Sequence, residues 1–268
     1  MTATAFTKMH GLGNDFAIFD ARNAPVRLDP TRIRQLADRR RGIGFDQLIV
    51  IEPPGDFRGS ADIFMRIFNA DGGEVSACGN ATRCVVALLG RDAIIATRAG
   101  LLSGELLGDN VGINMGKPRF DWDIIPLAQP MDTADMPVGW DSLARPMAVN
   151  VGNPHAVFFV DDPYAVDMDT LGPLIENDPL FPEGVNVNVA RIADGGITLR
   201  VWERGAGLTQ ACGTGACATA VAAIRRKLVT GPITVHLPGG PLTIAWAAGG
   251  DIQMTGPFAT AYRGEVEL

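Results

Sequence analysis

The sequence predicts an α+β fold in which the second half of the chain repeats the first. Residues 76–84 are SACGNATRC and residues 210–220 are QACGTGACATA, so each half places a cysteine and a glycine at a predicted helix start. When Cys78 is aligned with Cys212, further signals recur in the same order. Each half combines many short strand patterns with two helical ones, which is typical of α+β rather than of alternating βαβ units. We therefore predict a duplicated domain.

The recurring signals follow at a nearly constant offset. Each signal occurs once in each half. In order they are Gly13-Asn14 and Gly152-Asn153, the predicted helices that contain Ile33 and Leu171, the loops 44–47 and 183–186, the two cysteine stretches, and Ile-x-Met-x-x-Pro at 113–118 and 252–257. The proline-rich segment 119–146 has only isolated apolar residues, so we place the boundary near its start. The predicted halves are 1–118, carrying Cys78, and 119–259, carrying Cys212, with a tail at about 260–268 that could return to the first half.

Two helices are predicted in the first half. Asp29 followed by Pro30 is typical of an N-cap and first helical position, and this helix is expected to stop at Gly42. The basic run 39–41 would lie at its end, where cations interact favourably with the helix dipole. The second helix is predicted to begin at Cys78 and to end at Gly90.

The composition excludes several classes of protein. The chain has 268 residues, 47% of them hydrophobic, and a formal net charge of −7, which allows a real core and argues against a nucleic-acid partner. The first residues lack the apolar stretch of a signal peptide, and no run approaches the ~18 apolar residues of a membrane span, so no membrane partner is expected. We therefore expect a cytoplasmic protein whose four cysteines are thiols.

Cys78 and Cys212 are the candidate catalytic residues. At a helix N-terminus, unpaired N–H groups and the helix dipole stabilise a thiolate. The same ends can bind a carboxylate through the backbone N–H groups of the next two residues in each half, which are Gly79, Asn80, Gly213 and Thr214. Two such thiols suit inversion of a stereocentre, because one removes a proton from one face and the opposite one returns a proton to the other.

No cofactor and no metal are expected. Pyridoxal phosphate needs a Schiff-base lysine, and Lys8, Lys117 and Lys227 lie in no suitable motif. The cysteine spacings fit a structural zinc site poorly. Cys84 and Cys217, which lie inside their helices, are expected to be buried core residues.

Six motifs carry a resemblance to a known family. They are MHGLGNDF at 9–16, GIGFDQ at 42–47, FNADG at 68–72, ACGN at 77–80, GNPH at 152–155 and ERGAG at 203–207. In these motifs, and in their order along nearly the whole chain, the sequence resembles the diaminopimelate epimerase family. The resemblance implies two similar domains, each a strand-rich, barrel-like sheet with helices, and an active site in the interdomain cleft.

The resemblance also implies an activity and a set of site residues. The activity is conversion of LL-2,6-diaminopimelate to the meso form, without cofactor or metal, for lysine and peptidoglycan precursors, in a homodimer. Cys78 and Cys212 would be the acid and base thiols. The substrate-binding positions would be Asn14, Gln47, Asn69, Gly79, Asn80, Asn153, Asn186, Glu203, Arg204, Gly213 and Thr214. Among them, Asn69, Asn153, Asn186 and Arg204 would hold the distal end, Glu203 an ammonium group, and His155 is a supporting candidate near the thiols.

Two positions depart from the family pattern, and three other functions remain open. Ala81 stands where the family usually has glycine, and Asn188 where an acidic residue is common. The alternatives are a two-thiol racemase of the proline racemase kind, a cysteine hydrolase that uses Cys212 with His155, and an amino-acid binding protein without catalysis. A charged pair such as Glu203 and Arg204 favours a substrate with a second charged end.

Overall fold

The computed structural model describes residues 3–76, 78–193 and 195–268. Ala77, which belongs to the first cysteine motif, lies outside the described residues. The chain divides into two compact units, one formed by Met1–Ile113 with Gly256–Leu268 and the other by Asn114–Thr255.

The first unit contains a mixed sheet and two helices. Its elements are β1 (Ala3–Gly11), β2 (Asn14–Asp20), α1 (Pro30–Ala37), β3 (Gln47–Glu52), a 3₁₀ turn (Gly55–Phe57), β4 (Ile63–Asn69), β5 (Glu74–Val75), α2 (Gly79–Leu89), β6 (Ala93–Thr97), β7 (Gly100–Leu107) and β8 (Asn110–Asn114). β1 pairs antiparallel with β2, β2 parallel with β3, β3 antiparallel with β4, and β4 parallel with β6, which continues into the antiparallel strands β7 and β8.

The second unit repeats this topology. Its elements are β9 (Gly139–Trp140), β10 (Leu143–Ala144), β11 (Met147–Asn150), β12 (Pro154–Phe159), α3 (Met168–Glu176), β13 (Asn186–Ala193), β14 (Gly196–Glu203), β15 (Gly207–Leu208), α4 (Gly213–Arg225), β16 (Ile233–Leu237), β17 (Gly240–Ala245) and β18 (Gln253–Pro257). β11 pairs antiparallel with β12, β12 parallel with β13, β13 antiparallel with β14, and β14 parallel with β16, followed by antiparallel β17 and β18. The prediction of an α+β class is confirmed.

The last strand returns the chain to the first unit. β19 (Ala259–Glu267) pairs antiparallel with β1, from Ala3 opposite Glu267 to His10 opposite Ala259. Before it, the proline-rich segment of the second unit contributes Ile125, Leu127, Met136 and Leu143 to the buried core, together with the hairpin of β9 and β10. This segment is therefore packed structure rather than a linker.

Helix α1 begins as predicted but ends earlier than Gly42. Asp29 caps it by accepting the backbone N–H of Arg32 at 2.7 Å, and Ile33 and Leu36 are buried. The helix stops at Ala37, because Asp38 takes an extended conformation and its carboxylate accepts the backbone N–H groups of residues 40 and 41. A short polar side chain that satisfies nearby backbone donors competes with the helix in this way. The basic run 39–41 consequently lies beyond the helix.

Both interior cysteines lie in the core, as expected. Cys84 in α2 and Cys217 in α4 are fully buried, and burial raises the pKa of Cys84 to about 12, against the opposing charge of Arg83. Within the described part of the chain, no helix combines the length and the apolar character needed to cross a membrane.

The contact between α3 and β14 gives a test of packing close to the site. A Cβ at Gly172 would lie 2.3 Å from Cδ2 of Trp202, the residue before Glu203. In Gly172→Ala the helix gains up to ~1 kcal/mol of propensity, but overlap with the partly buried indole of Trp202 outweighs it. We expect a net loss of roughly 2 kcal/mol in the free energy of unfolding, measured by urea denaturation.

Gly250→Ala is the control for this measurement. A Cβ there would meet only the carbonyl oxygen of Ala247, at 3.3 Å. We expect a change within about 0.5 kcal/mol. Equal stabilities of both variants and the wild type would contradict the close packing of α3 on Trp202.

Candidate active site

A cysteine caps the N-terminus of one helix in each unit. Cys78 precedes α2 and Cys212 precedes α4, both with extended backbone (φ −152°, ψ 109° and φ −111°, ψ 105°). Each sulphur accepts the backbone N–H three residues further on, from Ala81 at 3.5 Å and from Gly215 at 3.4 Å. The prediction that both cysteines begin helices is confirmed. Each Sγ lies where the positive end of the helix dipole favours a thiolate.

The two helix starts differ in how much room the third residue has. Ala81 is fully buried and helical, and it is not among the described residues with positive φ, so alanine is unstrained there. At Gly215 a Cβ would lie 2.9 Å from Cγ2 of Val201 and 3.3 Å from Sγ of Cys212. Glycine at 215 therefore allows β14 to approach the Cys212 thiol closely.

A tight hairpin brings Asn14 to the Cys78 thiol. Leu12 and Gly13 join β1 to β2 with φ values of 57° and 87°, the positive pair that a type I′ turn requires. For leucine this is an unfavourable conformation, and such strain is concentrated at functional sites. Gly11 permits the approach to α2, since a Cβ there would lie 2.9 Å from Nη2 of the buried Arg83. As a result, Asn14 Oδ1 accepts the Cys78 thiol, with the sulphur at 3.9 Å.

Charged residues that sequence reasoning did not select surround Asn14. Asp46 accepts the Asn14 side-chain N–H at 3.0 Å, and Arg39 bridges Asp15 at 2.8 Å and Asp46 at 2.7 Å. Lys8 also contacts Asp15. Burial alone would raise the pKa of Asp15, but hydrogen bonds from Arg39 and Lys8 outweigh it and hold this pKa well below its usual range.

Gln47 and Asn69 form a second amide pair in the first unit. They lie opposite each other on β3 and β4, and Gln47 Nε2 donates to Asn69 Oδ1 at 2.9 Å. Gln47 Oε1 is buried and has no hydrogen-bond partner among the described residues. This oxygen is an acceptor that a bound polar group can use.

In the second unit, Cys212 lies beside a carboxylate. Its thiol lies 3.5 Å from Oγ1 of Thr214, and the carboxylate of Glu203 is near enough to act on it electrostatically. Burial raises the pKa of Cys212, and the charge of Glu203 raises it further. Burial also raises the pKa of Glu203, although Thr209, which donates to Oε1 at 2.5 Å, opposes this.

His155 is fully buried and lies between two asparagines. Asn188 donates to the Gly215 carbonyl and to Thr219, both at 3.3 Å, so its amide oxygen faces His155 Nδ1, also at 3.3 Å. Nε2 faces the side-chain oxygen of Asn153 at 2.9 Å, so both ring nitrogens have an amide oxygen as partner, and a neutral ring donates to one of them. Burial lowers the pKa of His155 to about 4, so the ring is neutral near pH 7.

Asn186 and Arg204 are joined through the backbone. The Arg204 backbone N–H donates to Asn186 Oδ1 at 2.9 Å, and Asn186 Nδ2 donates to the Pro154 carbonyl at 2.8 Å. The guanidinium is held by the Glu183 carbonyl at 2.8 Å. These contacts tie Asn186, Arg204 and the strand that carries His155 into one cluster.

Each unit therefore assembles its own set of the predicted residues. The first contains Asn14, Gln47, Asn69, Cys78, Gly79 and Asn80, and the second Asn153, His155, Asn186, Glu203, Arg204, Cys212, Gly213 and Thr214. Five further residues act on the site through other side chains and were not predicted from the sequence. They are Lys8, Asp15, Arg39, Asp46 and Thr209. Asn188 was noted only as a departure from the family pattern. Among the described residues, no group of three or more His, Cys, Asp or Glu side chains could hold a metal ion.

Solved structures with the same fold cover nearly the whole chain. A phenazine biosynthesis protein of the PhzF family from Enterococcus faecalis matches with a TM-score of 0.69 and 13% identity, covering 100% of both chains. A hydroxyproline epimerase from Agrobacterium vitis matches with a TM-score of 0.66 and 16% identity, covering 99% of this chain and 93% of that one. At these identities the likeness shows the fold alone: the chain has the duplicated α+β fold of these proteins.

Sequence comparison shows the family. The family model described as diaminopimelate epimerase matches residues 6–120 and 147–260. The diaminopimelate epimerase of Sphingopyxis alaskensis is 61% identical over 266 residues, covering 99% of this chain and 98% of that protein. The chain belongs to the diaminopimelate epimerase family.

The buried histidine gives a test by pH. The folded-state pKa of about 4 lies below the unfolded value of 6.5, so the unfolded state binds the proton first. The stabilisation is complete above about pH 6.5 and is lost as the pH falls toward 4. From pH 7 to pH 5 the free energy of unfolding should fall by about 2 kcal/mol because of His155. Urea denaturation at both pH values measures this.

Two variants isolate the contribution of His155. In His155→Gln this part of the pH dependence should disappear. His236→Gln, which changes an exposed histidine, should keep the wild-type dependence. If wild type and His155→Gln lose the same free energy between the two pH values, His155 is not the buried neutral group.

Proposed function

We propose that this isomerase interconverts LL-2,6-diaminopimelate and meso-diaminopimelate by a two-base mechanism that uses Cys78 and Cys212. Diaminopimelate epimerase activity, and with it a place in lysine biosynthesis, follows from membership of the family. The supply of peptidoglycan precursors is part of the proposal. The observation that carries the mechanism is that each of two units with one topology places a cysteine sulphur at a helix N-terminus.

The proposed reaction removes one proton from the α-carbon and adds another to its opposite face. The thiolate of one cysteine takes the α-proton, so the C–H bond breaks, an S–H bond forms and the electron pair spreads into the carboxylate. The thiol of the other cysteine then gives its proton to the opposite face and becomes the thiolate. The protonation states of the two cysteines are exchanged after each turnover, and no oxidant, reductant or cofactor enters the balance.

The helix ends support the charge that develops in this step. Because each sulphur takes the third backbone N–H of its helix, the first two, from Gly79 and Asn80 and from Gly213 and Thr214, are the donors proposed for the substrate carboxylate. Donors fixed before the reaction stabilise the negative charge of the planar intermediate without reorganisation.

The remaining polar residues are proposed to bind the two amino-acid ends. Asn14, Gln47, Asn69, Asn153, Asn186, Glu203 and Arg204 are the proposed substrate-binding side chains. Arg204, held by Glu183 and Asn186, suits a distal carboxylate, and the buried Gln47 oxygen suits an N–H donor of the substrate.

Glu203 is proposed to take an ammonium group beside Cys212. An ammonium there would offset the negative charge that raises the pKa of the thiol and would favour the thiolate. His155 is proposed to support the site as a neutral donor and acceptor. Its two nitrogens face Asn188 and Asn153 rather than Cys212, which disfavours the cysteine hydrolase alternative.

We also propose a cytoplasmic homodimer. The support is the family resemblance and, for the compartment, the four cysteines, all of which are thiols. Light scattering of the purified protein tests the oligomeric state.

The activity is tested by proton exchange. Purified protein is incubated with LL-diaminopimelate in heavy water, and the α-carbon is followed by NMR together with chiral analysis. We expect meso product that carries deuterium at the inverted carbon, because the returning proton comes from a thiol in exchange with solvent. Absence of both deuterium and meso product would refute the activity.

The two-base mechanism is tested by substitution at the cysteines. Cys78→Ser and Cys212→Ser should keep the helix cap, because serine is a good N-cap residue. Turnover should fall by about 10²–10⁴ in each, because a hydroxyl is a much weaker acid and base near neutral pH. Cys84→Ala and Cys217→Ala, which change buried thiols inside the helices, are the controls and should turn over normally with lower stability. Full activity in Cys78→Ser would exclude the mechanism.

A further inference from the structure

The side chain of Asn14 has a definite orientation in the first unit. Its Oδ1 accepts the Cys78 thiol, with the sulphur at 3.9 Å, and the Asn80 side-chain N–H at 3.2 Å. Its Nδ2 donates to Asp46 Oδ2 at 3.0 Å. Turning the amide by half a rotation would exchange its oxygen and nitrogen, and the thiol would then face an N–H donor instead of an acceptor.

Asp46 decides between these two orientations. An ionised carboxylate only accepts hydrogen bonds, so the amide nitrogen of Asn14 must face it. Asp46 Oδ2 already accepts the Asp15 backbone N–H at 3.1 Å, and Oδ1 accepts Arg39 at 2.7 Å. These partners also fix the carboxylate in place, and in any orientation it offers Asn14 only acceptor oxygens. The oxygen of Asn14 is therefore left for Cys78.

Asp46 is itself held from several sides. Its backbone N–H donates to Asp15 Oδ1 at 2.9 Å, and the Asp15 backbone N–H donates to the Asp46 carboxylate, so the two residues form a reciprocal pair of hydrogen bonds. Lys8 contacts both Asp15 and the carbonyl of Gly44, two residues before Asp46. Gly44 has φ +71° and packs its backbone on Arg39, with the position of a Cβ 2.8 Å from Arg39 Cα. The loop that carries Asp46 is thus fixed to β1 and β2.

The exposure of these groups indicates what the network is for. The side chains of Arg39 and Asp46 are 58% and 44% exposed, and exposed ion pairs contribute only ~0–1 kcal/mol to stability. Asp15 and Lys8 are 16% and 9% exposed, so the inner part of the network is rigid. The arrangement is better suited to fixing the direction of one amide than to stabilising the fold.

We propose that Asp46 is a positioning residue for Cys78, which holds the Asn14 amide with its oxygen toward the thiol. The proposal rests on the proposed function, in which Cys78 exchanges a proton with the substrate. An acceptor next to the sulphur favours the thiol over the thiolate. Asp46 thereby keeps Cys78 as a proton donor in the substrate-free protein. The charged groups of the surrounding elements are Lys8 on β1, Asp15 on β2, Arg39 and Asp46 in the loop after α1, and Arg83 on α2.

The test measures the reactivity of Cys78 directly. Alkylation by iodoacetamide is followed between pH 5 and pH 10 by mass spectrometry of the peptide that contains Cys78. In Asp46→Asn, residue 46 gains donors of its own, and Asn14 can turn its nitrogen to the sulphur. We expect the pH of half-maximal reactivity to fall by about 0.5 or more, which is at least ~3-fold faster alkylation at pH 7. kcat should fall by roughly 10-fold to 100-fold, as for other residues that orient a reactive group.

A double substitution separates positioning from a direct effect of charge. Removing the negative charge of Asp46 would by itself also favour the thiolate. In the Asn14→Ala background, a direct effect would persist, whereas an effect through Asn14 would vanish. We expect the profiles of Asn14→Ala and of Asn14→Ala with Asp46→Asn to coincide. A shift that persists, or an unchanged profile in Asp46→Asn alone, would overturn the proposal.

A matched control and a second variant complete the experiment. Asp62 has the same pattern of partners in the same unit, with the backbone N–H of Ile94 at 2.7 Å and Arg91 at 2.9 Å, and Asp62→Asn should leave the Cys78 profile unchanged. If Asp46→Asn fails to fold, Asp46→Ser is used with the same expectation. Wild-type protein that does not exchange the α-proton would refute the proposed function, while the alkylation profiles would still test the contact between Asp46 and Asn14.

Discussion

The hydrogen bond from a backbone N–H in the first turn of a helix to a cysteine sulphur is the interaction on which the rest of the structure depends. It requires Cys78 and Cys212 to be extended immediately before α2 and α4, so each sulphur stays at the N-terminal end of its helix. The side chains that act on the thiols must then reach the helix ends from other elements of the unit. The strands and turns of each unit provide this, through the hairpin before β2 and through the end of β14.

The two units use different chemistry around the same backbone geometry. Cys78 faces the neutral amide of Asn14, which in turn donates to the carboxylate of Asp46. Cys212 faces the carboxylate of Glu203 directly. A neutral acceptor has a constant effect, while a carboxylate responds to any cation that binds beside it. Duplication has therefore preserved the position of the thiol and changed the way in which its proton is controlled.

The sequence was sufficient for the features that depend on local pattern. The α+β class, the repeat and the helix starts at both cysteines follow from residue types at fixed spacings, and the structure confirms them. The end of α1 was predicted wrongly, because the competing interaction is the Asp38 side chain with its own backbone. The network around Asp46 could not be predicted from local pattern. Arg39 is 24 residues from Asp15 in the chain, and it had a sufficient explanation as a cation at a helix end.

The unequal space at the two helix starts has a consequence for how this chain can vary. Position 81 already holds the methyl group of an alanine beside Cys78. At position 215 a side chain would collide with Val201 and with the Cys212 sulphur. Random substitution should thus leave descendants that differ at the first helix and agree at the second.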